Sequence, residues 1–247
     1  MLEGLSVILV RPRYPENVGA TARACLNMGC PELRLVEPEE PDLERALPMA
    51  TSHARHILEG ARVFPDLAAA LEGLDAAFGT TARLGGWRSA VSAPRTLAAD
   101  VAGRLGRGQR LGLVFGPEDR GLTNAETMLL DGLCSIPTAN EGTSLNLAQA
   151  VVVLLHECFQ ARRQPDAPDE APAPRRATVG NREREALVQA MREALLAIDF
   201  LKDQNTDYFL LPARRALSRL EPSRAEFDML MGVCRQILWA SGRKEQK

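Results

Sequence analysis

Residues 136–157 read IPTANEGTSLNLAQAVVVLLHE, and the change of character inside this stretch bears on both the fold and the site. An apolar segment ends at Ile136, small and polar residues follow, and a strongly apolar pattern then predicts a helix over 144–160. Thr143 or Ser144 is a suitable N-cap for that helix, a role worth about 1 kcal/mol. The polar loop is therefore either a plain connection into a capped helix or a pocket wall whose backbone groups bind a ligand.

Outward from this stretch, short apolar runs alternate with helical patterns over the first 161 residues. The predicted strands are 5–10, 33–38, 61–64, 75–83, 110–116 and 132–137. The predicted helices are 17–29, 48–60, 66–73, 95–106, a short one opened by the capping box TNAE at 123–126, and 144–160. Asn17 is the expected N-cap of the first helix and Gly29 its expected C′ residue. The alternation predicts an α/β fold with a mostly parallel sheet covered by helices.

A proline-rich segment divides the chain. Residues 162–181, RRQPDAPDEAPAPRRATVGN, contain four prolines, mixed charge and almost no large apolar side chain, which indicates a linker. We therefore expect a catalytic or binding domain at 1–161 and a small all-helical module at 182–247. Glu221-Pro222-Ser223 is the expected break between helices in that module.

Composition narrows the class of protein. The net charge of −2 does not by itself favour a nucleic-acid partner. No apolar run approaches the roughly 20 residues of a membrane span, and the first residues lack the pattern of a signal peptide. We therefore expect no membrane association and a cytoplasmic protein.

The histidines, cysteines and lysines also argue against a metal site and a lysine-containing phosphate-binding loop. The three histidines and five cysteines do not have the spacing of metal ligands, so we expect no metal and reduced, mostly buried thiols. The lysines are Lys202, Lys244 and Lys247, and no phosphate-binding loop lysine is possible before residue 202.

Three predicted strand ends carry glycines or hydroxyl side chains: FGTTAR at 78–83, LVFGPEDRGL at 113–122 and IPTANEGTSLN at 136–146. Open parallel sheets bind ligands at the carboxyl ends of their strands. None of the three matches the G-x-G-x-x-G dinucleotide pattern. Such loops suit a neutral base with a ribose, such as adenosine, held by backbone amides and carbonyls. Taken singly, Gly116 is also consistent with a glycine that simply permits a turn. Glu118 and its charged neighbours are also consistent with a solvated surface turn.

The order of three motifs adds a resemblance to these observations. PENVGATARACLNMG (15–29), LVFGPEDRGLTNAE (113–126) and IPTANEGTSLNLAQAV (136–151) resemble the signature motifs of the SPOUT RNA ribose methyltransferases, and most closely those of the TrmJ type. GTTAR (79–83) is similar to a further cofactor-contacting segment of that family. The likeness spans residues 5–160 closely and the helical tail more loosely.

The resemblance implies an S-adenosylmethionine-dependent enzyme that methylates a ribose 2′-hydroxyl of tRNA, in the anticodon loop. It also implies that the α/β domain ends in a deep trefoil knot, which ordinary topology rules disfavour, and that the protein is a homodimer with shared active sites. The implied cofactor-binding positions are Thr80, Thr81, Ala82, Gly116, Ile136, Thr143, Ser144 and Leu145. The implied catalytic positions, around the reacting ribose, are Asn17, Arg23, Glu118, Ser144 and Asn146.

Arg23 has the most specific expected role. Because arginine is essentially always protonated, we expect it to hold the neighbouring phosphate and stabilise the developing alkoxide, with the proton passing to phosphate, Ser144 or water. The plainer interpretation is a surface arginine. In the tail, Arg214, Arg215, Arg219 and Arg224 are candidate phosphate contacts, or simply a solvated helix face.

Two alternative functions stay open at this point. One keeps the chemistry but changes the substrate to ribosomal RNA or to another tRNA position. The other is a catalytically silent RNA-binding knot protein that retains the fold without the reaction.

Overall fold

The structure is a computed structural model of the 247-residue chain, and it describes residues 1–82, 91–139, 144–163, 179–202 and 206–242. The chain divides into two compact units, Met1–Ala173 and Pro174–Lys247. The first unit contains the sheet and its covering helices, and the second is helical. Most of the predicted linker, 164–178, lies outside the described residues.

Strands and helices alternate along the first unit. The strands are β1 (Leu5–Val10), β2 (Glu32–Val36), β3 (Arg62–Phe64), β4 (Ala76–Thr80), β5 (Val91–Ser92), β6 (Leu111–Phe115) and β7 (Gly132–Cys134). The helices are α1 (Pro15–Met28), α2 (Leu43–Glu59), α3 (Leu67–Leu71), α4 (Pro94–Gly106), α5 (Asn124–Met128) and α6 (Leu147–Arg163).

The strands form one seven-stranded sheet in the order β3-β2-β1-β6-β4-β7-β5, and every described pairing is parallel. The predicted helix-covered parallel sheet is confirmed. Strand β1 is central, and its six residues are all buried, as expected for a strand covered on both faces. The register places β4 directly between β6 and β7. The carboxyl ends of those three strands are therefore neighbours at one edge of the sheet.

Each face of the sheet has its own core. Leu5, Val7 and Leu9 of β1 pack on one side with apolar residues of α1, α2, α4 and α6. Ile8 and Val10 point to the other side, where α3 and the segments around α5 cover them. The alternation along a single strand thus separates two hydrophobic layers.

Several predicted boundaries are corrected by the structure. Helix α1 begins at Pro15 with Tyr14 at the N-cap, so Asn17 lies inside the first turn and is not the cap. The predicted end is confirmed, because Gly29 has φ 68° and follows the last helical residue. Strand β5 was not predicted, since two residues between loops leave no periodicity to detect.

The second unit contains α7 (Asn181–Ala197), α8 (Thr206–Leu220) and α9 (Arg224–Gly242). The predicted break at Glu221-Pro222-Ser223 separates α8 from α9. Its core includes Leu187, Leu217 and Phe227, one from each helix. Among the described residues, no helix is both long and apolar enough to cross a membrane.

An ion pair between the buried Arg34 and the half-buried Glu32 lies on the α3 side of the sheet. Arg34 of β2 is 1% exposed, and its Nη1 donates to the carbonyl oxygens of Ala70 and Glu72 at the end of α3. Its Nη2 donates to Glu32 at 3.1 Å, and Ser6 and Arg62 also donate to that carboxylate. Burial on its own would raise the pKa of Glu32, but these hydrogen bonds and charges lower it to about 2.

The charge of Glu32 should therefore stabilise the fold in a pH-dependent way. Because the pKa of Glu32 is lowered by folding, its contribution to the free energy of unfolding is complete above the ordinary value of 4.5. This contribution is lost as the pH falls toward 2. We expect Glu32→Gln to lower the free energy of unfolding at pH 7 by about 1–2 kcal/mol, a figure reduced for solvent screening. The difference from wild type should shrink between pH 4.5 and pH 3 in urea unfolding. Glu59→Gln, which removes an exposed pair with Arg55, is the control and should show little change at any pH.

Candidate functional site

A cavity of about 440 Å³ opens at the carboxyl ends of β4, β6 and β7. Its walls come from the residues that follow each of these strands, namely 80–82, 116–122 and 136–138, together with the start of α6. The volume lies in the range of pockets that hold a nucleoside-sized ligand. The three strand ends singled out in the sequence thus meet at one place.

Seven of the eight predicted cofactor-binding positions line this cavity: Thr80, Thr81, Ala82, Gly116, Ile136, Ser144 and Leu145. The eighth, Thr143, lies outside the described residues. The backbone amide of Thr81 donates to the Cys134 carbonyl at 2.9 Å, which ties the end of β4 to the end of β7. The cavity wall is therefore built largely from main chain held by neighbouring strands.

Gly116 is required by the turn that follows β6. A Cβ atom at this position would lie 2.2 Å from the Leu122 nitrogen and 2.4 Å from the Gly121 carbonyl carbon. The loop therefore folds back onto its own start, and the Gly121 amide donates to the Pro117 carbonyl at 2.8 Å. Gly121 has φ 63° but has open space where a Cβ would project. Glycine is needed for close approach at the first position and for backbone conformation at the second.

Three of the predicted catalytic positions form a continuous hydrogen-bonded chain. The Nδ2 of Asn17 donates to Oε1 of Glu118 at 2.6 Å, and the Nδ2 of Asn146 donates to Oδ1 of Asn17 at 2.9 Å. The second oxygen of Glu118 accepts from the Arg13 amide at 3.1 Å. Glu118 also lines the cavity. The solvated-turn interpretation of Glu118 is therefore wrong, because its carboxylate joins the β6 loop to the start of α1.

The start of α6 differs from the prediction. The helix begins at Leu147, and the side-chain Oδ1 of Asn146 accepts from the amides of Ala148 and Gln149. Asn146 is thus the capping residue, whereas Ser144 lies two residues earlier, exposed on the cavity wall. Thr143, Ser144 and Asn146 are all favourable N-cap residue types, so the sequence gave no signal to distinguish between these caps.

Arg23 does not lie at this cavity. Its side chain is exposed on α1, and it makes no hydrogen bond or ion pair with any described residue. It follows Asn17 by six residues, so the two side chains point about 120° apart around the helix axis. The structure therefore separates Arg23 from the other four predicted catalytic positions within one chain.

Two further residues of the cavity wall, and one ion pair at the end of β1, were not assigned a role from the sequence. Asp119 and Arg120 line the cavity beside Glu118, and Arg120 lies 3.7 Å from a carboxylate oxygen of Glu39. Arg11, at the end of β1, pairs with Glu126 at 2.5 Å and so connects β1 to α5. The capping box at 123–126 was predicted and is present, but its link to Arg11 spans 115 residues and leaves no local pattern.

Neither a metal nor a thiol nucleophile is indicated here. The described residues contain no group of three or more His, Cys, Asp or Glu side chains placed to hold a metal ion. All five cysteines are free and buried, as predicted. Burial raises the pKa of Cys134, next to the cavity, to about 12, which keeps its thiol protonated at neutral pH. What the cavity offers a ligand is hydroxyl groups, backbone amides, apolar walls and the charged side chains of Glu118, Asp119 and Arg120.

Comparisons with known proteins agree with this geometry. Residues 4–156 match the SpoU rRNA Methylase family. The chain is 33% identical over 240 residues to the tRNA (cytidine/uridine/adenosine-2'-O-)-methyltransferase TrmJ of Pseudomonas aeruginosa (strain UCBPP-PA14), covering 94% of this chain and 93% of that protein.

Two solved structures are also similar. The crystal structure of TrmJ from Z. mobilis ZM4 has a TM-score of 0.75 and 29% identity, covering 94% of this chain and 98% of that one. A structure solved to study 2-OH methylation of C/U34 on tRNA has a TM-score of 0.51 and 27% identity, covering 64% of this chain and 95% of that one.

Gly116 and Gly121, in the loop after β6, are glycine for different reasons: close backbone approach at the first and a left-handed conformation at the second. We expect Gly116→Ala to destabilise the fold by about 3 kcal/mol or more, since the backbone atoms that a Cβ would meet cannot move away easily. Gly121→Ala meets no atom and should cost about 1 kcal/mol for its left-handed conformation. Urea unfolding of both variants measures the difference. Equal destabilisation would contradict the close approach seen at Gly116.

Proposed function

Because the chain belongs to the SpoU rRNA Methylase family, we propose that it is an S-adenosylmethionine-dependent enzyme that transfers a methyl group to a ribose 2′-hydroxyl of tRNA. One observation carries the proposal most directly. Seven predicted cofactor positions line a single cavity, and the Glu118–Asn17–Asn146 chain runs along its edge.

The proposed substrate position is the anticodon loop. The structure related to methylation of C/U34 on tRNA and the full-length similarity to TrmJ both favour it. The name of the family refers to rRNA, so ribosomal RNA is the second candidate substrate. Acting on tRNA, the protein would work in the cytoplasm.

The cavity fits the proposed cofactor in size and chemistry. Main-chain groups at 80–82 and 116–122 offer donors and acceptors for an adenine edge and a ribose, and Ile136 and Leu145 supply apolar walls. The carboxylates of Glu118 and Asp119 lie on the same wall and complement a positive ligand. When bound, S-adenosylmethionine would supply a methyl group already activated on a sulfonium.

The chain's own task is then to position the ribose and accept its proton. Positioning alone contributes several kcal/mol to such reactions. One carboxylate oxygen of Glu118 accepts a hydrogen bond from the Asn17 side chain and the other from the Arg13 amide. We therefore assign Glu118 a positioning role. Ser144 is exposed on the cavity wall and can take part in proton transfer.

Arg23 is proposed to act in the cavity of a partner subunit. Its exposure, its lack of an ion pair with a described residue and its orientation away from Asn17 favour a homodimer with shared sites. There the guanidinium would bind the phosphate next to the reacting ribose and stabilise the developing alkoxide.

The trefoil knot is likewise a proposal for this chain. Helix α6 packs against both α1 and α4, and Asn146 ties its start to α1. These contacts with earlier elements support the proposal. A crystal structure in which that segment passes outside every preceding loop would contradict the knot.

The helical module, predicted at 182–247 after a linker at 162–181, is proposed to contact tRNA with fewer arginines than the sequence indicates. Arg214 pairs with Glu185, and Arg224 pairs with Glu183 and Asp228. Arg219 is exposed on α8, one turn from Arg215. Burial, and after it the like charge of Arg219, lower the pKa of Arg215. Arg219, which is exposed, is therefore the arginine of this module that we propose contacts phosphate.

One assay tests the reaction and its substrate together. The purified protein is incubated with labelled S-adenosylmethionine and either total tRNA or ribosomal RNA, and methylated riboses are mapped by mass spectrometry. We expect methylation in the tRNA anticodon loop. Label in ribosomal RNA alone would favour the second candidate, and cofactor binding by calorimetry without any RNA product would contradict the enzyme.

Arg23 variants test the phosphate-binding role. We expect Arg23→Ala to lower kcat by at least about 100-fold while leaving the Kd for S-adenosylmethionine unchanged. Arg23→Lys should recover only part of the activity, because lysine keeps the charge but loses the planar pair of donors. Arg55→Ala, an exposed arginine on α2, is the matched control. Activity of Arg23→Lys close to wild type would contradict two-point binding of phosphate.

Mixing two inactive variants tests whether the site is shared. Ala82→Trp fills the cavity at an exposed position and leaves Arg23 intact, whereas Arg23→Ala leaves the cavity intact. After co-refolding, mixed dimers should restore about a quarter of wild-type activity, because half the dimers are mixed and each holds one complete site. No recovery, although sedimentation shows mixed dimers, would place Arg23 in its own chain's site.

Arg219→Ala tests the tail contact. It should weaken tRNA binding similarly for all tRNA sequences and lower the slope of log Kd against log salt by about 1. A slope equal to that of Arg55→Ala would rule out a phosphate contact at Arg219.

A further inference from the structure

An exposed aromatic side chain marks the start of α1. Tyr14 is 46% exposed, although Pro12 and Pro15 on either side are buried. In the described part of residues 1–163 it is the exposed aromatic residue, since the other described rings there are buried or half-buried. A large ring left in water at a fixed position is a feature that the reaction described above does not use.

The backbone of Tyr14 is held at the cavity by Glu118. The two oxygens of that carboxylate accept from the Arg13 amide at 3.1 Å and from the Asn17 side chain at 2.6 Å, on either side of Tyr14. The Tyr14 carbonyl in turn accepts from the Asn17 amide at 3.0 Å. Because Glu118 lines the cavity, these hydrogen bonds tie the backbone on both sides of the exposed ring to a residue of the cavity wall.

Arg13 completes the surface. Its guanidinium lies 5.7 Å from the centre of the Tyr14 ring, in cation–π distance. Its other partner is Glu39 at 3.9 Å, and both side chains are about half exposed, so this ion pair contributes little and can exchange for a phosphate. An exposed ring beside an arginine is the combination with which proteins stack unpaired bases and hold the adjoining backbone.

We propose that Tyr14, backed by Arg13, stacks on an unpaired nucleobase of the RNA next to the nucleoside that enters the cavity. This inference rests on the proposed function and adds a base-binding surface to it. The surface does not read a particular base, because every base offers a flat face. Its contribution is to hold the loop in register with the cavity.

Tyr14→Ala and Tyr14→Phe separate stacking from other roles. We expect Tyr14→Ala to raise KM for tRNA by about 5- to 100-fold with little change in kcat, and Tyr14→Phe to keep KM within about twofold of wild type. The Kd for S-adenosylmethionine, measured by calorimetry, should be unchanged in both. Val63→Ala removes an exposed apolar side chain from the edge strand β3 and is the matched control, expected to behave as wild type.

Three outcomes would overturn the proposal. The first is an unchanged KM in Tyr14→Ala. The second is loss of cofactor binding, which would indicate a structural role. The third is dissociation into monomers on sedimentation, which would indicate a subunit contact. A wild-type protein that binds cofactor and methylates no RNA would refute the proposed function itself, whereas methylation with equal KM in both proteins refutes stacking alone.

Discussion

The carboxylate of Glu118 is the contact on which the site's geometry depends. It comes from the loop after β6 and accepts from the Arg13 amide and the Asn17 side chain at the start of α1. Asn17 continues the chain to Asn146, which caps α6. The start of α1 is thereby fixed to two segments that lie more than 100 residues further along the chain, by neutral donors and a single charge. A carboxylate with both oxygens bound is also poorly placed to act as a base.

Parallel pairing explains why the cavity has its composition. Every described strand runs in the same direction, so β4, β6 and β7 end at the same edge, and the chain must leave each of them through a loop. The backbone groups of those loops are free of the sheet ladder, and glycine at 116 lets one loop fold back tightly. The resulting wall offers backbone hydrogen bonds, with the charged side chains 118–120 on the loop after β6, and this combination suits the proposed nucleoside-containing cofactor.

The arginines divide into those that hold the protein together and those that face outward. Arg34 is buried with Glu32, Arg11 joins β1 to α5, and Arg214 joins α8 to α7. Arg23, by contrast, is exposed on α1 without an ion pair to any described residue, and Arg13 has only a long contact with Glu39. Burial and pairing therefore distinguish the proposed RNA-facing cations from structural ones, although all are the same residue type.

The sequence by itself determined the class of fold, most element positions and the three strand-end segments. Periodicity and capping chemistry act over a few residues, so TNAE, Gly29 and Pro222 could be interpreted locally. Only the tertiary structure decided that β4 lies between β6 and β7 and that Asn146 caps α6. It also showed that Asn17 links Glu118 to Asn146 and does not cap α1. It also separated Arg23 from the cavity and paired Arg214 with Glu185. Those outcomes depend on contacts between residues far apart in the chain, for which a local pattern of residue types carries no information.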